Sequence, residues 1–145
     1  MGAEIGQGRE WNCTGEIEWW LLQYPHHAQV QLMVKELNHL YKTTKSLWED
    51  FNHSGFEWID FADHSNSVIS YLRKAGPSTV LCVHNFTPNY YPHYHIKLGH
   101  CTEIVEIFNS DDVKYGGSGK INKTAHIDHG IHITLAPLAT MIFEF

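Results

Sequence analysis

Between residues 28 and 41 the apolar side chains fall at Val30, Met33, Val34, Leu37, Leu40 and Tyr41. This i, i+3, i+4, i+7 spacing predicts a helix with one buried face. Pro25 stands where a first helical turn tolerates a residue without an N–H, and Lys35, Glu36, Asn38 and His39 fill the opposite face. A shorter apolar turn over 46–49 carries Leu47 and Trp48.

After Asn52 the period changes. Short runs over 56–61, 67–73, 79–86, 93–98, 102–109, 125–128, 130–136 and 138–145 are broken by turn residues, the pattern of an antiparallel β-sandwich. Tyr94, Ile96 and Leu98 alternate with His93, His95 and Lys97, and Ile131, Ile133 and Leu135 with His132 and Thr134. Met141, Phe143 and Phe145 alternate with Thr140, Ile142 and Glu144, so each of these strands is expected to have one packed and one wet face. Val80-Leu81-Cys82-Val83 is apolar throughout, as in a central strand covered on both sides. The expected fold is mainly β, an antiparallel sandwich over residues 53–145 preceded by a helical segment over 1–52. That first segment, one helix and a lead containing Trp11, Trp19 and Trp20, cannot enclose a core by itself. It must pack across the sandwich or belong to a larger domain.

Composition narrows the function classes. With 10 Lys+Arg against 16 Asp+Glu the net charge is −6, which disfavours a nucleic-acid or anionic-membrane footprint. The N-terminus has neither the basic nor the apolar region of a signal peptide, and no apolar stretch is long enough to span a bilayer, so a cytoplasmic protein is expected. Cys13, Cys82 and Cys101 form no CxxC pair and suit a reducing compartment.

The 12 histidines invite a metal reading. His-x-His at His93 and His95, with His126, His129 and His132 and a carboxylate at Asp128 or Glu103, is the donor set of a cupin-like site. Strand alternation instead places His93 and His95 on the solvent side, so no metal or other cofactor is expected. Tyr115-Gly116-Gly117-Ser118-Gly119-Lys120 fails as a phosphate loop, because Lys114 and Ile121 occupy positions that need Gly and Ser or Thr. It reads as an ordered loop with glycines at positive φ. Trp11, Trp19, Trp20 and Tyr24 beside Arg9 and Glu10 have sugar-binding chemistry, rings for pyranose faces and charged groups for hydroxyls, although core packing uses the same rings.

Several blocks then match a known pattern in order. They are Met1–Gln7 with Arg9-Glu10-Trp11-Asn12; Trp19 with Leu21-Leu22 and Tyr24-Pro25; Leu37–Tyr41; Phe56–Asp60; Asn85-Phe86-Thr87-Pro88; Asn109-Ser110-Asp111 with Tyr115–Gly119; and Pro137–Thr140. Together they resemble the C-terminal part of the bacterial glycogen branching enzymes of the α-amylase superfamily. The resemblance implies the last helical part of a (β/α)8 barrel, residues 1–52, followed by an all-β domain, residues 53–145. It also implies an enzyme that cleaves α-1,4-glucan links and transfers the chain to a 6-hydroxyl, making α-1,6 branches by a retaining double displacement. The carboxylates of that chemistry precede the matching motif, so no catalytic residue is expected in this chain. Arg9, Glu10 and Trp11 are expected near the substrate, since loops at the C-terminal face of a barrel border its active site. Gly8 and Cys13-Thr14-Gly15 depart from the family pattern. The expected partners are α-1,4-glucan through the intact enzyme and the missing barrel. Trp11, Trp19, Trp20, Val30 and Val34 would then form an exposed apolar patch that favours self-association.

Overall fold

A computed structural model describes residues 1–10, 12–99, 103–122, 126–127 and 130–145. Helix α1 runs Pro25–Thr43 and α2 Lys45–Trp48; the strands are β1 Phe56–Asp63, β2 Val68–Ala75, β3 Ser78–Asn85, β4 Tyr91–Ile96, β5 Val105–Asn109, β6 His126–Ile127, β7 Ile131–Leu135 and β8 Thr140–Glu144. Two antiparallel sheets form, ordered β1-β2-β3-β8-β5 and β4-β7-β6. The expected sandwich is therefore present, with boundaries moved by a few residues.

Alternation decides what fills the space between the sheets. Leu72, Leu81, Val83, Met141 and Phe143 from the larger sheet meet Ile96, Ile131, Ile133 and Leu135 from the smaller one. The turn Gly76-Pro77 joins β2 to β3 with Gly76 at φ 61, where a side chain would be strained. Tyr94 donates to Asp63 Oδ2 at 2.5 Å, so β4 is tied to the β1–β2 turn across the gap.

The larger sheet is covered on part of its other side as well. Val80, Cys82, Phe108 and Ile142 form a second cluster, covered by Met33 and Leu40 of α1, Leu47 of α2 and Tyr115. Ile142, expected on a wet face, is 5% exposed for this reason. The helical segment thus packs across the sandwich, and β3 is the central, doubly covered strand. Ser78 Oγ donates to Ser46 Oγ at 3.0 Å, and Arg73 pairs with Asp50, which ties α2 and the following linker to β2 and β3.

Helix α1 starts with Pro25 in its first turn after an extended Tyr24 and ends at an extended Thr44. It has no fully buried residue, and Leu37 and Tyr41 are exposed. The expected buried face is only half covered. Among the described residues no helix is long and apolar enough to cross a membrane.

Candidate functional site

The lead segment is folded onto the start of α1. Gly2 and Gly6, at φ 80 and 64, bracket a 3-10 turn over Ala3–Ile5 whose Ile5 is fully buried. The Ile5 carbonyl accepts a hydrogen bond from the part-buried His27 Nδ1 at 2.7 Å. Gln7 braces the segment: its Oε1 accepts from the Glu18 amide at 2.9 Å, and its own amide donates to Gly2 O at 3.0 Å.

Arg9 is thereby presented at the surface. Its Nε lies 3.0 Å from Glu18 Oε1, and its side chain remains 78% exposed while that of Glu18 is 12% exposed. Glu10 is exposed beside it, and Trp11 lies outside the described residues. Trp19, Trp20 and Tyr24 are about half exposed, and Trp20 meets Tyr24 edge-on at 6.2 Å. The described members of the sequence-expected set are therefore solvent-facing: one guanidinium, one carboxylate and three amphipathic rings. It can stack on an apolar ring face and bond to hydroxyls. Among the described residues it holds no buried acid–base pair.

The glycine-rich loop does something the sequence did not disclose. Asp111 accepts from the Ser118 amide at 2.9 Å, Ser118 Oγ at 2.7 Å and the Lys120 amide at 2.9 Å. Partial burial works against its charge, but these bonds prevail and hold the carboxyl below its ordinary range. The amides that would cradle a phosphate are thus spent on the protein's own carboxylate. A Cβ on Gly117 would fall 2.1 Å from Asp111 O, so only glycine fits. The loop then reaches α1: Tyr115 donates to Glu36, and Lys114 Nζ lies 2.7 Å from the same carboxylate. These two contacts hold Glu36 below its ordinary pKa.

Glu106 is the half-buried acid beneath that loop. Burial raises its pKa, against hydrogen bonds from the Asn122 amide at 3.1 Å, Asn122 Nδ2 at 2.7 Å and Asn109 Nδ2 at 3.1 Å. Its hydrogen-bond partners are donors fixed by the fold, which suits a structural carboxylate. Asn85, 2% exposed, is similar. Its Nδ2 donates to Asn89 O at 2.8 Å and Ala136 O at 2.9 Å, and its Oδ1 accepts from Thr87. Two of the sequence blocks, 85–88 and 137–140, meet here, since the Leu138 amide donates to Thr87 O at 2.8 Å.

On the β1–β3 side of the larger sheet, Phe56, Trp58, Phe61, Tyr71, His84 and Phe86 form a continuous aromatic group. Burial pushes the Tyr71 phenol up to about 12 and lowers the pKa of His84. His84 lies between Tyr71 OH, 3.2 Å away, and Thr140 Oγ1, 2.9 Å away. Neither residue stood out in the sequence. A polar His at an alternate position of a strand reads as wet unless a neighbouring strand covers it.

His93 and His95 are placed as alternation requires: both are exposed while Ile96 is 3% exposed. Among the described residues no group of three or more His, Cys, Asp or Glu side chains is arranged to hold a metal. His129, Asp128 and the side chain of His126 lie outside the described residues.

Comparison with known proteins accounts for this arrangement. The family described as "Alpha amylase, C-terminal all-beta domain" matches residues 58–145. The chain belongs to that family. Relatives extend the match to the helical segment. The 1,4-alpha-glucan branching enzyme GlgB of Protochlamydia amoebophila is 53% identical over 99% of this chain, and that of Chlamydia felis is 43% identical over the same share. In each case the match spans 21% of the relative's length, so this chain covers about a fifth of the curated relatives it matches. The fold recurs at low identity in the GBS pullulanase SAP, solved in complex with maltotetraose (TM-score 0.63, 12% identity, 90% of this chain and 18% of that one). It recurs also in an α-amylase from H. orenii (TM-score 0.52, 16% identity, 79% of this chain and 20% of that one).

Proposed function

We propose that this chain is the C-terminal portion of a 1,4-alpha-glucan branching enzyme. Residues 1–52 close the end of the catalytic (β/α)8 barrel and residues 53–145 form the all-β domain that caps it. The whole enzyme cleaves an α-1,4 link of a glucan and passes the freed chain to a 6-hydroxyl, leaving an α-1,6 branch in glycogen, in the cytoplasm and without a cofactor. The observation that carries this reading is 53% identity across 99% of the chain to an enzyme of which the match is 21%.

In this reading the carboxylates of the double displacement stand in the remaining four-fifths, and these 145 residues position rather than catalyse. Arg9, Glu10 and Trp11 border the substrate from the barrel's C-terminal face. The half-covered α1 and the aromatic face of β1–β3 seat the preceding barrel. Ring geometry supports docking over sugar binding: Tyr71 stacks on Phe56 and on His84, and His84 on Phe86, so these rings cover one another's faces. A pyranose needs an open ring face. Deprived of the barrel, the same surface associates with itself.

Iodine-stained amylose tests the proposal. The 145 residues alone are expected to give no branching, while their co-expression with the remaining part of the P. amoebophila relative restores branching that the latter lacks alone. Turnover by the 145 residues overturns the assignment. The second reading, a glucan-binding module, rests on the exposure of Trp58, Phe61 and Phe86, and predicts retardation in glycogen affinity gels.

A further inference from the structure

The smaller sheet carries a feature that a barrel-capping role does not require. His95 of β4 and His132 of β7 are direct cross-strand partners. Their imidazoles lie with centroids 4.7 Å apart and planes inclined by 36°. On the other side of β7, the backbone of His126 in β6 is in register with His132, so the three strands carry histidine at one level. The position is built by the fold. Gly130, at φ 139, brings the turn before β7 so close that a Cβ there would fall 2.6 Å from His95 Nε2 and 2.5 Å from Ile96 O.

We propose that His95 and His132 form a chelating pair for a first-row transition-metal dication of the nickel, copper or zinc type. Two metal–nitrogen bonds of about 2.0–2.1 Å bring ligating nitrogens within about 4 Å of one another. Rings already side by side on neighbouring strands reach that span by turning about χ2. The donor set chooses the ion. Neutral imidazole prefers these metals in the Irving–Williams order, whereas calcium and magnesium require oxygen ligands. Water completes the coordination. The bound ion clamps β4 to β7, so it stabilises the folded chain by an amount that grows with the logarithm of its concentration above the dissociation constant. The pair lies on the smaller sheet, and the inference is independent of the branching-enzyme reading.

The test uses the untagged 145-residue chain stripped of metal, with nickel chloride as probe. Calorimetry is expected to give one saturable site, weakened at least tenfold in His95→Ala and in His132→Ala and unchanged in His39→Ala, whose histidine lies on α1. Nickel is also expected to broaden the His95 and His132 imidazole proton resonances of the wild-type chain before those of other histidines, a readout that needs no variant to fold. Magnesium at the same concentration should do neither. Absence of a saturable site, or a site indifferent to both substitutions with broadening first elsewhere, overturns the proposal.

Discussion

The Lys114 ammonium lies 2.7 Å from the Glu36 carboxylate, which also accepts a hydrogen bond from Tyr115, 79 residues along the chain. This contact fastens α1 to the loop after β5. Lys114 and Glu36 are 47% and 40% exposed, so the ion pair itself is worth little, whereas the Tyr115 hydroxyl bond to the same carboxylate stands on a half-buried ring held in place against Phe108. Tyr115→Phe is expected to cost about 1 kcal/mol and Lys114→Ala less than about 0.5 kcal/mol. Urea unfolding followed by tryptophan fluorescence checks the order; a costlier Lys114→Ala contradicts it.

Acid should loosen the same latch. A carboxyl whose folded pKa is lowered adds stability that is present above its unfolded value, about 4, and lost as pH falls through the folded one. The Lys114 and Tyr115 contacts lower Glu36; in Asp111 and Asp63, hydrogen bonds outweigh burial to the same end. Glu106, raised by burial, has the opposite sign: its contribution is present below the unfolded value and fades as pH rises through the folded one. Urea midpoints from pH 7 to pH 3 should fall below about pH 4.5, and Glu36→Gln should flatten part of that fall. An unchanged slope in the variant would count against the latch.

Asn85 is the polar keystone between β3, the Thr87 turn and the β7–β8 connection. Its removal strands the Ala136 carbonyl and the Thr87 amide, so Asn85→Ala is expected to cost about 2–3 kcal/mol. A thermal midpoint lowered by less than about 3 °C would show that water replaces those bonds readily.

Two glycines should respond differently to alanine. Gly117 has no room, since a Cβ meets Asp111 O at 2.1 Å; at Gly76 nothing lies within 4 Å and only φ 61 opposes the change. Gly76→Ala is expected to cost about 1 kcal/mol. Gly117→Ala should cost more and raise amide exchange at Ser118 and Lys120, which hold Asp111. Equal effects would place the loop's strain elsewhere.

The open apolar face has a solution consequence. Trp58 is 48%, Phe61 63% and Phe86 61% exposed on one side of the molecule. Sedimentation velocity of the isolated chain should show concentration-dependent association, reduced in a Trp58→Ser/Phe61→Ser/Phe86→Ser variant. A wild-type chain that stays monomeric at high concentration would refute it.

Much of the fold was legible locally. The spacing of Val30, Met33, Leu37 and Leu40 announces α1, and the alternation of Ile131, Ile133 and Leu135 announces a strand with one packed face. Four apolar residues in a row correctly mark β3 as the central strand. Of the candidate site, Arg9 and Glu10 are at the surface, but Glu18, which holds Arg9, and Gln7, which holds Glu18, were not distinguishable from other polar residues.

Periodicity reports which face of an element is apolar, and that much the sequence determined alone, together with the ordered blocks by which the family is known. It cannot report which partner covers the face, because that depends on residues distant in the chain. Tertiary structure therefore decided that α1 lies over Ile142 and Cys82, making a strand that alternates on paper buried on both sides. It decided that the glycine-rich loop closes on Asp111 and then on Glu36, and that two histidines, 37 residues apart in the sequence and each wet by alternation, stand ring to ring. Such pairings are set by strand register and close backbone approach, which exist only once the sheets have formed.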